Sequence, residues 1–168
     1  MRDAPPRGSG FVAEEHRSTD VGCRVRDAGS RRAERVMIFG IGTDVVQLER
    51  VKHVYERHGE RFVERLLLPA ELTAFRTYTR PVRFLAMRFA AKEAIVKAMG
   101  TGFAHGMWIR DAGIVPNTWG RPEIIWSDRG RAMCEKLGIG EGHITLTDEA
   151  GLIVAVAILM RKGIGGRG

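Results

Sequence analysis

Cysteine is scarce in this 168-residue chain. Cys23 and Cys134 make neither a metal cluster nor a disulfide framework, and such sparing use suits a reducing cytoplasm. No HxH or HExxH spacing occurs among the 5 histidines, which argues against a zinc centre and leaves His105 and His143 as isolated side chains. No apolar run approaches the roughly eighteen residues that a membrane span requires. The longest, Leu152 to Met160, has the length of a strand. Residues 1–36 lack lysine, carry Phe11 as their one aromatic, and show no periodic apolar pattern. A segment of that kind buries too little apolar surface to offset its ordering entropy. It has no apolar h-region, so it is no signal peptide, and its Asp and Glu set it apart from Arg-rich targeting peptides. The composition predicts a disordered or artefactual extension over 1–36, with the functional chain starting at Met37.

The chain as a whole, with 44% hydrophobic and 28% charged residues, has the make-up of a soluble globular protein of one domain. A formal charge of +7 favours polyanionic partners: nucleic acid, an anionic membrane surface, an acidic protein or a phosphorylated ligand. Where the charges sit must decide between them.

Met37 to Thr43 is a short apolar strand candidate, and Val46 to His58 carries apolar residues at helical spacing until Gly59. Phe62 to Leu68 and Pro69 to Thr77 read as two short helices, Pro69 suiting a first-turn position. Pro81 opens a long helix to about Met99, closed by Gly100-Thr101-Gly102. Strands are expected at Trp108 to Val115 and Pro122 to Trp126, then a helix at Asp128 to Leu137. Strands at His143 to Thr147 and Leu152 to Met160 follow, joined as a hairpin through Asp148 to Gly151. This order predicts an α+β domain over 37–162, a largely antiparallel sheet with helices packed on one side, and a flexible Gly-rich tail over 163–168.

Apolar residues cover most of the long helix's circumference, with Phe84, Met87, Ala91, Ile95 and Ala98 on one flank and Leu85, Phe89, Val96 and Met99 on another. The remaining stripe holds Ala86, Ala90, Glu93 and Lys97. Either it is a solvated face with an ordinary Glu93–Lys97 ion pair, or the two alanines leave open volume beside a carboxylate. Arg88 and Lys92 lie on another side of the same helix. Asp44 follows an apolar strand whose Gly40 and Gly42 permit close approach of another backbone or a ligand. It is either a helix N-cap or, with Glu93, one of two hard oxygen ligands of the kind Mg²⁺ takes alongside water and substrate phosphates.

Lys97, the Gly100-Thr101-Gly102 loop and Gly120-Arg121 could together face a phosphate, although each glycine segment is also explained by a helix C-cap or a turn. Arg50, Val54, Arg57 and Arg61 fall at i, i+4, i+7 and i+11, a basic stripe with one apolar residue inside it. It reads as a solvated face, a docking surface for an acidic helix, or a nucleic-acid surface.

In family order along the chain stand GIGTD at Gly40 to Asp44, RFAAKEAIVKAMGTG at Arg88 to Gly102, WGRP at Trp119 to Pro122 and HITLTDE at His143 to Glu149. These segments closely resemble holo-(acyl carrier protein) synthase, the small bacterial class of phosphopantetheinyl transferase, from Met37 to about Arg161. Family members begin at the position of Met37, which implies a misassigned start codon. The resemblance implies transfer of the 4'-phosphopantetheine group from coenzyme A to a serine of acyl carrier protein in fatty acid biosynthesis, with release of 3',5'-ADP. Asp44 and Glu93 would bind Mg²⁺ with the pyrophosphate of coenzyme A, Lys97 would lie against the phosphates, and Arg88 would hold the nucleotide half. Gly100, Thr101, Gly120, Arg121 and Pro122 match positions lining the coenzyme A site. Arg50, Arg57 and Arg61, with Val54 as the apolar anchor, match the helix that receives the acidic carrier. Glu93, directly or through a water, would accept the serine proton, and Lys97 would stabilise the leaving oxygen. The family is a cytoplasmic homotrimer with active sites shared between subunits, binding neither nucleic acid nor membrane. Many members carry His where this chain has Asp148, so no role for that His carries over. The competing reading is a non-catalytic basic module on nucleic acid, which explains the charge but neither Asp44 nor Glu93.

Overall fold

The computed structural model describes residues 37–103 and 105–163. The extension expected over 1–36 and most of the Gly-rich tail therefore lie outside the described residues.

Strand β1 (Ile38–Gln47) runs well past the Thr43 end that its apolar pattern predicts. Val46 reads as the first residue of a helix, yet it and Val45 are β-branched and both find cross-strand partners on β5 (Leu152–Arg161). Asp44 pairs with Ala155 in the middle of this ladder, and the helix cap is Gln47. The N-cap reading of Asp44 is thereby corrected.

β4 (Ile139–Glu149) flanks β5 on its other side, giving an antiparallel sheet of order β1-β5-β4. A two-residue turn joins β4 to β5, with Ala150 at φ 51° and Gly151 at φ 78°. Both positive values match the turn whose twist suits a tight hairpin. A second sheet holds β2 (Ala112–Pro116) and β3 (Pro122–Trp126). The strand expected from Trp108 starts four residues late because Asp111 closes a turn: its carboxylate accepts from the Trp108 N–H at 2.6 Å, and its own N–H donates to the Trp108 carbonyl at 2.9 Å. The α+β class holds, with the strands divided between two sheets.

Among the described residues five helices accompany them: α1 (Leu48–His58), α2 (Glu60–Leu66), α3 (Pro69–Phe75), α4 (Pro81–Met99) and α5 (Asp128–Leu137). Most of the apolar circumference of α4 is buried, with Met87 and Phe89 half-buried, and its inner side lies against β1 and β5, where Ile153, Ala155, Ala157 and Leu159 are inaccessible. Gly40 and Gly42 make the contact possible. A Cβ on either would sit 2.1 Å from a carbonyl oxygen of α4, that of Ala98 or Ala94. The close approach is of backbone to backbone, not to a ligand. It also sets the site, because the period of two puts Asp44 on the same strand face as the two glycines.

Candidate active site

Asp44 projects from β1 toward α4, where Lys97 donates to its carboxylate at 2.8 Å and to the Thr43 carbonyl at 3.1 Å. The ion pair expected between Glu93 and Lys97 is replaced by this tertiary one. Lys97 is long enough to cross to β1, and the carboxylate there is better shielded from water than the helix surface. Glu93 has no ion-pair partner among the described residues. It lines a 480 Å³ cavity together with Asp44, Arg50, Val54, Phe62 and Phe89. Burial raises the Glu93 pKa above the ordinary carboxylate value, the Asp44 charge raises it further, and Lys97 opposes both. Two carboxylates thus sense each other in one cavity, a donor set that fits a hard divalent cation retaining water and phosphate ligands. Ala86 and Ala90, expected to border open volume, are fully buried. The open space lies instead toward α1.

Arg50 and Val54 of α1 line this cavity, so the basic stripe begins at its rim. The stripe is shorter than the spacing suggests. Gly59, at φ 49°, breaks the helix, and Arg61 belongs to α2, where it lines a separate 290 Å³ recess with His58, Phe62 and Arg65. Arg57 stays on α1 and exposed.

Arg88 and Lys92 are buried, with Arg88 only 7% exposed. Both face Glu71, which sequence reasoning missed. The Glu71 carboxylate accepts from the Lys92 ammonium at 2.8 Å, from the Leu68 N–H at 2.9 Å and from the Ile114 N–H at 3.0 Å. Arg88 approaches to 3.6 Å without forming a hydrogen bond. Burial lowers the pKa of both cations, against the charge of Glu71. The available signal was Glu71 itself, an acid at the third position of a helix begun by Pro69.

The Arg88 guanidinium stacks on Phe84 at 3.9 Å and lines a 380 Å³ cleft with Tyr78, Gly120, Pro122 and Thr145. Three expected coenzyme A residues therefore share one cleft. Arg121, between two of them, turns away and donates to His143 Nδ1 at 3.1 Å beside another recess. Gly100 and Thr101 cap the far end of α4. Gly100, at φ 72°, donates to the Lys97 carbonyl at 3.0 Å, and Gly102 to that of Val96 at 3.3 Å, so the loop is a helix C-cap. Asp148, at the family's His position, accepts from Arg83, which also donates to the Tyr78 hydroxyl at 2.7 Å. Burial lifts the Cys134 thiol to about 11, so it packs rather than reacts.

Residues 40–157 match the family model described as the 4'-phosphopantetheinyl transferase superfamily. Holo-[acyl-carrier-protein] synthase of Halorhodospira halophila is 44% identical over 124 residues, 74% of this chain and 98% of that protein. The corresponding synthase of Hamiltonella defensa is 38% identical over 122 residues, 73% of this chain and 97% of its own. Among solved structures, holo-[acyl-carrier-protein] synthase from Neisseria meningitidis superposes with a TM-score of 0.70 at 37% identity, covering 73% of this chain and 98% of that one. The Helicobacter pylori synthase in complex with coenzyme A gives a TM-score of 0.63 at 26% identity, covering 71% of this chain and 98% of that one. A family model spanning most of the chain, and relatives matched over nearly their whole length, mean that this chain belongs to the 4'-phosphopantetheinyl transferase superfamily.

Proposed function

We propose that the protein is a holo-(acyl carrier protein) synthase, moving 4'-phosphopantetheine from coenzyme A to a serine of apo acyl carrier protein in fatty acid biosynthesis in the cytoplasm. The observation that carries this reading is the convergence of Asp44 and Glu93 on one cavity rimmed by Arg50 and Val54. A nucleic-acid module has no use for two carboxylates there, since they would repel a phosphate backbone.

Asp44 and Glu93 would hold Mg²⁺, which when bound supplies charge neutralisation for the pyrophosphate of coenzyme A. The serine oxygen attacks the β-phosphorus, a new O–P bond forms, and the bridging P–O bond breaks with its electron pair leaving on 3',5'-ADP. Glu93 accepts the serine proton. Lys97, already against Asp44, presents its charge to the leaving oxygens. Arg88, Gly120 and Pro122 receive the nucleotide half, with Gly100, Thr101 and Arg121 at its margins. Arg50, Arg57 and Arg61 attract the acidic carrier, and Val54 anchors it.

We infer a homotrimer with sites shared between subunits. The outer face of the three-stranded sheet supports it, because Ile41 and Val45 are each 58% exposed beside Leu152. So does the separation of the Asp44–Glu93 cavity from the Arg88 cleft, which share no lining residue. The test of the activity is incubation with apo acyl carrier protein, coenzyme A and Mg²⁺. The carrier's intact mass should rise by one phosphopantetheine, only with metal present. No rise with folded protein and fresh carrier overturns the assignment.

A further inference from the structure

We propose that the buried Glu71–Lys92 pair is a positioning device for the anion-binding cleft, keeping Arg88 available to the substrate while pinning the opposite wall. The inference rests on the transferase reading for the identity of the anion, coenzyme A, and on side-chain geometry for everything else.

Glu71, Lys92 and Arg88 form a buried cluster of one anion and two cations. Lys92 makes the short contact, 2.8 Å to Glu71, and donates its second hydrogen bond to the Ala112 carbonyl at 2.6 Å. The two backbone N–H donors from Leu68 and Ile114 occupy further acceptor positions of the carboxylate. Arg88 is thus held at 3.6 Å, beyond hydrogen-bond reach, and its Nε–H has no partner among the described residues. A buried guanidinium with an unspent donor is costly unless a further acceptor arrives. Its charge is only partly compensated, because it shares the Glu71 carboxylate with the closer Lys92. The open side of Arg88 is the cleft lined by Gly120 and Pro122. An anionic ligand there would answer the net positive charge that one carboxylate leaves on two cations.

The same pair fixes the facing wall. Glu71 of α3 takes the Ile114 N–H and Lys92 of α4 donates to the Ala112 carbonyl, so the pair binds β2 to both helices, on either side of Gly113. Gly113 is itself shaped to the carboxylate, since a Cβ there would lie 2.8 Å from it. β2 leads into the turn that carries Gly120. One ion pair therefore controls both the charge on one wall and the placement of the other.

The charges predict an order among variants that packing alone does not. Lys92→Met leaves Glu71 without its close cation, and Arg88 is drawn in to replace it. The KM for coenzyme A should then rise roughly 10- to 100-fold, the scale of one charge-assisted hydrogen bond, with the smaller change in kcat. The double variant Glu71→Gln/Lys92→Met removes the competing anion with the cation, so Arg88 returns to the cleft and KM should fall at least about threefold below that of Lys92→Met, the remaining rise reflecting the lost Lys92 bond to the Ala112 carbonyl. Thermal denaturation of each variant accompanies the kinetics. A KM that stays at the parent value in Lys92→Met, or that fails to recover in the double variant while both remain folded, overturns the inference. Losses that simply track melting temperature do so as well. These results differ from failure of the functional reading, in which the parent protein itself would transfer nothing.

Discussion

Lys97 of α4 holds Asp44 of β1 at 2.8 Å and leaves Glu93, one helical turn away, facing the same cavity without an ion-pair partner among the described residues. This tertiary pair divides the labour of the site. Asp44 is oriented by Lys97, whereas Glu93 retains the freedom to take a proton. Lys97→Met should lower kcat by roughly 100-fold, the scale at which a preorganised charge acts on a phosphoryl transfer. Combining it with Asp44→Asn should cost no more than the worse single change, because the two side chains act as one unit. Steady-state kinetics at saturating coenzyme A checks both statements, and additive losses would separate the residues.

Gly42 meets α4 far more closely than any other side chain could allow. Gly42→Ala places a Cβ 2.1 Å from the Ala94 carbonyl oxygen, with backbone on both sides and nothing flexible to yield. We expect a loss of about 3 kcal/mol or more, read from urea denaturation, and displacement of Asp44 two residues on. Gly120 is the useful contrast. It sits at φ 79° with nothing within 4 Å of a Cβ, so Gly120→Ala should cost only about 1 kcal/mol of backbone strain. Equal losses for the two would mean that the β1–α4 contact is softer than its geometry.

These two glycines mark how far the chain could be read in advance. The long apolar helix, the apolar run of β5 and the Gly40-Ile41-Gly42-Thr43-Asp44 segment all follow from periodicity and residue size, which are local properties. Asp44 was recognisable as a candidate, but its place within β1 depended on pairing with Ala155, which no window of sequence contains. Glu71 went unseen for the same reason. Its partner Lys92 is 21 residues away on another helix, and both look like surface residues until β2 covers them. Arg61 shows the opposite error: its spacing continues a helical stripe, but the chain bends at Gly59.

The docking surface predicts a separation of substrates. Arg57 is exposed on α1, away from the cavity that Arg50 lines. Arg57→Glu should raise the KM for the acidic carrier about 10-fold and flatten its salt dependence, leaving the KM for coenzyme A unchanged. A parallel rise in both KM values would point to a structural effect on α1.

Shared sites predict complementation. Val45→Glu puts a charge in the exposed apolar face of the sheet, so it should yield a monomer by light scattering and no transferase activity. Asp44→Asn and Arg88→Ala subunits, each nearly inactive alone, should regain about a tenth or more of parental activity when unfolded and refolded together. Mixed assemblies without recovered activity would assign both cavities to the same subunit's chemistry.

Asp111 offers a test of the fold that does not depend on function. It is 5% exposed, accepts from the Ser127 hydroxyl at 2.8 Å and from Arg129 Nε at 2.9 Å, and ties the start of α5 to the turn before β2. Burial works against its charge, but the hydrogen bonds from Arg129, the Trp108 N–H and Ser127 outweigh it and hold its pKa below the ordinary value. A carboxylate with a depressed folded pKa contributes stability above its unfolded pKa, about 3.9, and loses it as pH falls through the folded value. Asp111→Asn should therefore cost about 1.5–3 kcal/mol at pH 6. The gap between parent and variant should narrow toward pH 3, because below about 3.9 the unfolded chain's Asp111 takes up its proton before the folded one does. Denaturation curves at the two pH values decide it: a gap of constant size would mean that the charge of Asp111 contributes nothing beyond its shape.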